Sequence, residues 1–183
     1  MKIAMIGRGT VGGGLARLWR AAGHDVTEFG RDGGEASDAD VAVLAVPGEE
    51  VESALDRVHG LDGKIVIDAT NPLSGRPEGV DSLAAQVKSR TRGPVAKALN
   101  ANFAALYDEL GTARAKPSCF YCADDDARDV AETLIRAAGY EPVYAGSLEG
   151  AGALEDFVTG VMLPALMSGR GPFLYRVGTV DDL

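Results

Sequence analysis

The stretch Met1-Lys2-Ile3-Ala4-Met5-Ile6-Gly7-Arg8-Gly9-Thr10-Val11-Gly12 decides the architecture. Residues 2–6 are a short apolar run of the kind buried in a sheet, and Gly7 stops it. Val11, Leu15, Leu18, Trp19 and Ala22 then recur at helical spacing until Gly23 ends the helix. Between strand and helix lies G-x-G-x-x-G, a pattern that is weak alone but specific when a strand precedes it and a helix follows at once. Gly7 permits the tight turn, Gly9 lets backbone approach a pyrophosphate, and Gly12 lets the helix pack closely on the sheet. Free N–H groups at the helix start then face the phosphate charge. Gly7, Arg8, Gly9, Thr10, Val11 and Gly12 are therefore the expected dinucleotide-binding residues.

Working outward, His24 to Phe29 read as a second strand, and residues 41–46 and 65–67 as continuous apolar strands of a parallel sheet covered on both faces. Val51, Ala54, Leu55 and Val58 mark a helix between them, with Glu49 and Glu50 in its first turn, where the helix dipole favours acids. Further elements follow in alternation: a helix over 81–90, a strand over 94–99, a short helix over 103–110, a strand from Cys119 to Ala123, a helix ending at Gly139, and a strand from Glu141 to Ala145. Strands alternating with helices predict an α/β, Rossmann-like, doubly wound and mainly parallel sheet. Only about ten residues separate the second strand from Val41, too few for another full helix and strand, so the second helix and third strand are expected to be shortened or absent. Residues 1–183 read as a single dinucleotide-binding domain, with residues 147–168 a C-terminal helix that closes the cleft or forms a dimer surface.

The composition narrows the function. Eighteen basic against 27 acidic residues give a formal net charge of -9, which disfavours nucleic acid and anionic membrane surfaces as partners. No run of eighteen apolar residues exists to span a bilayer, and the first strand reaches Gly7 too early for a signal peptide. A cytoplasmic protein is expected. Cys119 and Cys122 form C-x-x-C inside a strand, where positions three apart face opposite ways, so buried core cysteines are the favoured reading over a redox pair.

The tip of the second strand selects the cofactor. NAD readers place a carboxylate there for the ribose 2′-hydroxyl. Here Gly30 leaves room and Arg31 offers a planar donor fork suited to a 2′-phosphate, while Glu28 falls two positions early. Gly30 and Arg31 thus predict NADP(H).

With those residues in view, nearly the whole chain resembles the family of NADPH-dependent reductases of the deazaflavin coenzyme F420, and more distantly the cytosolic domain of membrane ferric reductases. The resemblance rests on Gly7–Gly12, Gly23-His24, Gly30-Arg31, Leu44-Ala45-Val46-Pro47, Ile67-Asp68-Ala69-Thr70-Asn71-Pro72, Lys97-Ala98-Leu99-Asn100 and Ala145-Gly146-Ser147-Leu148. It implies that Val46, Pro47, Asn71 and Pro72 line the cofactor cleft and that Asn102 and Ala104 lie beside the nicotinamide. Family members often carry tryptophan after the proline that corresponds to Pro47; this chain has Gly48.

The expected reaction is hydride transfer between NADPH and a small-molecule acceptor, F420 or a flavin-like ring, by a homodimer. Stacking two rings asks little of side chains, so no catalytic residue is assigned. His24 and His59 are the only histidines, without an evident partner for a triad or a metal site. Asp68 and Lys97 fall in neighbouring strands, where a structural ion pair is the plain reading and a catalytic role the alternative. A non-catalytic NADPH-binding sensor or regulatory subunit is the competing class.

Overall fold

The structure, a computed structural model, describes residues 1–180. Its elements are β1 (Lys2–Ile6), α1 (Thr10–Ala21), β2 (Asp25–Phe29), β3 (Gly34–Glu35), β4 (Val41–Leu44), α2 (Val51–Arg57), β5 (Val58–His59), β6 (Ile65–Asp68), α3 (Leu83–Thr91), β7 (Val95–Ala98), β8 (Ser118–Ala123), α4 (Arg128–Ala137), β9 (Glu141–Gly146), α5 (Ala151–Phe157) and α6 (Leu163–Ala165). Seven strands form one sheet in the order β2-β1-β4-β6-β7-β8-β9. From β2 to β7 every pairing is parallel. The fold is the Rossmann-like α/β arrangement expected from the alternation of elements.

Two apolar layers hold it. Leu15, Ala16 and Trp19 of α1 pack with Ala131, Leu134 and Ile135 of α4 on one face; Val51, Leu55, Leu83 and Val87 of α2 and α3 pack on the other. Trp19 is buried and donates its indole Nε1–H to the Leu134 carbonyl at 2.9 Å, tying α1 to α4. Such bonds matter because an aromatic N–H buried without an acceptor carries a desolvation penalty.

The missing third strand takes a definite form. Only β3, two residues long, occupies its place, and it pairs with β5 outside the main sheet. The chain turns there through Gly33 at φ 70, where a Cβ would land on the Arg57 carbonyl. β2 is therefore an edge of the main sheet.

β8 departs from the parallel pattern by running antiparallel to β7, with Lys97 opposite Cys122 and Ala98 opposite Tyr121. The segment joining them contains a 3-10 stretch, Ala104–Thr112, that packs beside α1 and returns to the sheet end it left. A parallel partner needs a crossover to the opposite end of the sheet, and this segment makes none. Cys119 and Cys122 are both free and buried.

The C-terminal helical segment is not a plain α-helix. α5 passes into a π stretch over Val158–Met162, then α6, then a second π stretch over Leu166–Arg170. Pro164 lacks the N–H that would bond one turn back, and the wider π register just ahead of it accommodates that loss. Val158 and Met162 pack with Ala101, and Phe103, Phe173 and Tyr175 lean on them. Among the described residues no helix is long and apolar enough to cross a membrane.

Candidate functional site

Strand order reverses at β1: α1, which joins it to β2, packs on one face of the sheet, and α2, which follows β4, packs on the other. In open α/β sheets a ligand crevice lies at the carboxyl ends of the strands at such a switch point. Here the strand ends are stitched together: Gly7 N–H donates to the Phe29 carbonyl at 2.9 Å, Ala45 N–H to that of Ile6 at 2.8 Å, and Ala69 N–H to that of Leu44 at 2.9 Å. Two adjoining cavities open above them, sharing Gly9, Ala45, Val46 and Pro47.

The first cavity, about 290 Å³, is lined by Gly7, Arg8, Gly9, Gly30, Arg31, Val46, Pro47, Glu50 and Arg57, among others. The second, about 330 Å³, adds Thr10, Val11, Ala69, Thr70, Asn71 and Leu73. The residues expected from the glycine motif and strand tips thus converge, apart from Gly12, which packs beneath the turn, and Pro72, which follows the lining at Asn71.

The three glycines differ in a way that fits a dinucleotide. A Cβ on Gly7 would strike the Ala45 carbonyl, and one on Gly12 the Gly7 carbonyl. A Cβ on Gly9 would meet nothing within 4 Å, because that position faces the open cleft. Gly9 is also the N-cap of α1, and no side chain caps the helix, so its first-turn N–H groups are left to an anion. This cradle suits a pyrophosphate.

At the far end, the Arg8 guanidinium lies against Gly30, in space that any Cβ there would take. Arg8, Arg31 and Arg57 converge on the tip of β2. Arg31 is 85% exposed at its side chain and reaches Glu50 at 3.4 Å. Glu28 is engaged elsewhere, accepting from Arg20 at 2.7 Å. Three arginines therefore border this end of the cleft, with Glu50 the one acid among its lining residues.

Behind the second cavity lies a buried charge network. Lys97 Nζ sits 2.9 Å from Asp68 Oδ2 and 2.9 Å from Glu155 Oε1, with all three side chains fully buried. Arg76 joins Glu155 Oε2 at 2.8 Å and Asp156 at 2.8 Å. The pairing of Asp68 with Lys97 was legible from neighbouring strands; Glu155, Arg76, Glu50 and Arg57 were not singled out. One signal for Glu155 exists: Ala151, Leu154 and Val158 define the buried face of α5, and Glu155 is an acid on that face.

Asn102 and Ala104 do not reach the lining of either cavity. Asn102 is buried with Nδ2 donating to the Ser118 carbonyl at 3.1 Å, and Ala104 packs on the core beside α1.

Comparison with known proteins agrees with this fold. Residues 30–72 match the family model described as NADP oxidoreductase, coenzyme F420-dependent. A crystal structure of an Arthrobacter sp. FB24 protein, provisionally assigned as an F420-dependent NADP-reductase, is 26% identical with a TM-score of 0.82, over 98% of this chain and 100% of that one. A hypothetical protein of Sinorhizobium meliloti is 26% identical with a TM-score of 0.65, over 83% and 88% of the two chains. Pyrroline carboxylate reductase of Plasmodium falciparum, solved with NADP bound, shares the fold at 13% identity and a TM-score of 0.62, over 92% of this chain and 65% of that one. The resemblance to F420-dependent NADP oxidoreductases is thus borne out by a family match and by fold; that to membrane ferric reductases rests on sequence alone.

Proposed function

We propose that the chain is an NADP(H)-dependent oxidoreductase that moves hydride between NADPH and a planar acceptor, a deazaflavin (F420) or a flavin-like ring. One observation carries the reading. The second cavity, lined by Gly9, Thr10, Val11, Ala45, Val46, Pro47, Ala69, Thr70, Asn71 and Leu73, contains no titratable side chain. Reduction of a keto acid calls for a proton donor at the carbonyl. Hydride transfer between stacked rings calls for a shaped, largely apolar floor and correct distance.

When bound, NADPH supplies the hydride. The chain's own residues divide the remaining work. The Gly7–Gly12 turn and the first-turn N–H groups of α1 hold the pyrophosphate. Arg8 and Arg31 hold the 2′-phosphate through charge-assisted bonds, with Gly30 keeping the space between them clear. Val46, Pro47, Thr70 and Asn71 form the floor and side on which the nicotinamide rests. Leu73, 63% exposed at the rim, offers an apolar edge to the acceptor ring.

The reading includes a homodimer in the cytoplasm. Exposed Val161 and Met167 on the C-terminal helical segment support the first, and two free thiols in the core suit a reducing compartment. Steady-state NADPH oxidation with F420, free flavin and a ferric chelate side by side tests the activity. Turnover with a ring acceptor is expected. Tight NADPH binding with no turnover on any acceptor would overturn it and favour the non-catalytic sensor.

A further inference from the structure

The turn after β6 forms one side of the cleft, and it is pinned at consecutive atoms. Thr70 N–H and Thr70 Oγ1 both donate to Asp68 Oδ1, at 2.9 and 2.7 Å. Lys97 Nζ donates to the Thr70 carbonyl at 2.6 Å. Asn71 Nδ2 donates to the Asn100 carbonyl at 2.8 Å, and Asn100 Nδ2 returns a bond to Asn71 Oδ1 at 3.0 Å. Asn100 reaches this position because buried Leu99 adopts φ 62, a left-handed conformation that a bulky residue rarely takes. Backbone strain of that kind persists only where its surroundings over-determine it.

Lys97 is the hub of this arrangement. Its ammonium donates to Asp68 Oδ2 and to the Thr70 carbonyl, and it lies 2.9 Å from Glu155 Oε1 in an ion pair. The side chain is fully buried between two carboxylates, so it is not placed to meet a ligand in the cleft. Stability alone does not account for it either. Buried ion networks of this kind are commonly no more stabilising than apolar residues of similar volume. What an apolar residue could not do is hold one carbonyl of the cleft and one carboxylate of α5 together.

Resting on the hydride-transfer reading above, we propose that Lys97 is a positioning residue: through the Thr70 carbonyl it sets the place of the Thr70–Asn71 side of the cleft, and Glu155 holds Lys97 to that task. Glu155 is itself fixed, accepting from the Leu83 N–H at 2.9 Å through Oε1 and from Arg76 Nε at 2.8 Å through Oε2. The C-terminal segment thereby communicates with the nicotinamide end of the cleft without lining it. On the reading above, phosphate would be held at Gly9, Arg8 and Arg31, which line the first cavity apart from Asp68, Lys97 and Glu155.

The test compares Glu155→Gln with Lys97→Met, in the full chain. Glu155→Gln retains an acceptor oxygen for the Leu83 N–H and removes the charge that faces Lys97. It keeps the question open to measurement should Lys97→Met, which leaves buried Asp68 without a cation and Glu155 with Arg76 alone, fail to fold. Three quantities are read: amide hydrogen exchange across 69–73, NADPH affinity by fluorescence titration, and single-turnover hydride transfer with protiated and deuterated NADPH. The expectation for Glu155→Gln is exchange at Thr70 faster by about tenfold relative to β1 and β4 amides. NADPH affinity should stay within about threefold, and the transfer rate should fall by about ten- to a hundredfold with a changed isotope effect, as misplacement by about 1 Å produces.

Unchanged Thr70 exchange in the folded variant overturns the proposal. So does a rate loss matched by Asp156→Ala plus mild denaturant at equal stability, because that is a purely structural effect. If the unaltered chain binds NADPH but passes hydride to no acceptor, the functional reading fails by itself, and the exchange result still decides whether Lys97 and Glu155 hold the turn.

Discussion

The Arg31 guanidinium meets the Glu50 carboxylate at 3.4 Å beside the tip of β2. The Arg31 side chain is exposed, and ion pairs of that kind contribute only about 0–1 kcal/mol. A phosphate dianion should therefore displace Glu50 from Arg31. Arg31→Ala should weaken NADPH binding by about 1.5–3 kcal/mol, tenfold or more, and leave NADH nearly unchanged. Glu50→Gln should act oppositely, strengthening NADPH by up to about 1 kcal/mol. Paired titrations with NADPH and NADH check both; equal affinity of the unaltered protein for the two cofactors sinks the assignment.

The glycine motif separates binding from folding. Gly9→Ala adds a methyl with no neighbour within 4 Å, so the melting temperature should hold while NADPH affinity drops as the methyl pushes phosphate off the α1 amides. Gly7→Ala and Gly12→Ala instead press against the Ala45 and Gly7 carbonyls, and Gly7 stands at φ 112 besides. Both should destabilise the chain by about 1–3 kcal/mol. Thermal melts with and without NADPH distinguish the two behaviours. A Gly9→Ala protein with normal affinity would mean that the phosphates sit elsewhere.

Local patterning made the first half of the chain legible. β1, α1 and β2 follow from apolar periodicity punctuated by Gly7 and Gly23, and the short gap before Val41 foretold that the third strand would be reduced, as β3 shows. Strand direction at β8 was not legible, because Cys119–Ala123 has the same apolar signature whichever way it runs. Arg8 was readable as a turn residue but not as the neighbour of Gly30, a contact made across two strand ends. Glu155 lies 58 positions from Lys97 in sequence, and nothing local to either residue specifies their meeting. Only packing of α5 against α3 and β8 brings them together.

The cysteines give a pH prediction. Burial pushes the Cys119 thiol up to about 12, and it raises Cys122 as well. Folding thus favours the neutral thiol. Its contribution is complete below the unfolded thiol pKa of about 8.5 and is lost as pH rises towards 12. Cys119→Ala should flatten the alkaline fall in stability by up to about 1.4 kcal/mol per pH unit over that window. Iodoacetamide at neutral pH should label neither cysteine in the native protein and both in denaturant, since the thiolate is the reactive form. Rapid native labelling of Cys119 would contradict its burial.

Arg76 fastens the loop after β6 to α5. Its Nε donates to Glu155 at 2.8 Å, and Nη2 donates to the Gly152 carbonyl at 2.7 Å and to Asp156 at 2.8 Å. These contacts differ in worth because their partners differ in burial. Glu155 is fully buried, whereas Asp156 is 69% exposed at its side chain. Removing Arg76 leaves a buried carboxylate with Lys97 as its remaining cation, so Arg76→Ala should cost about 2–3 kcal/mol, somewhat below a wholly buried pair because Arg76 itself touches solvent. Asp156→Ala removes only a screened surface partner and should cost about 0–1 kcal/mol, shrinking further in high salt. Urea denaturation of both variants at low and high salt reads the difference directly. Equal losses for the two variants would show that the Arg76–Glu155 contact adds nothing beyond a surface pair, and the C-terminal segment would then be held to the sheet chiefly by Ala151, Leu154 and Val158.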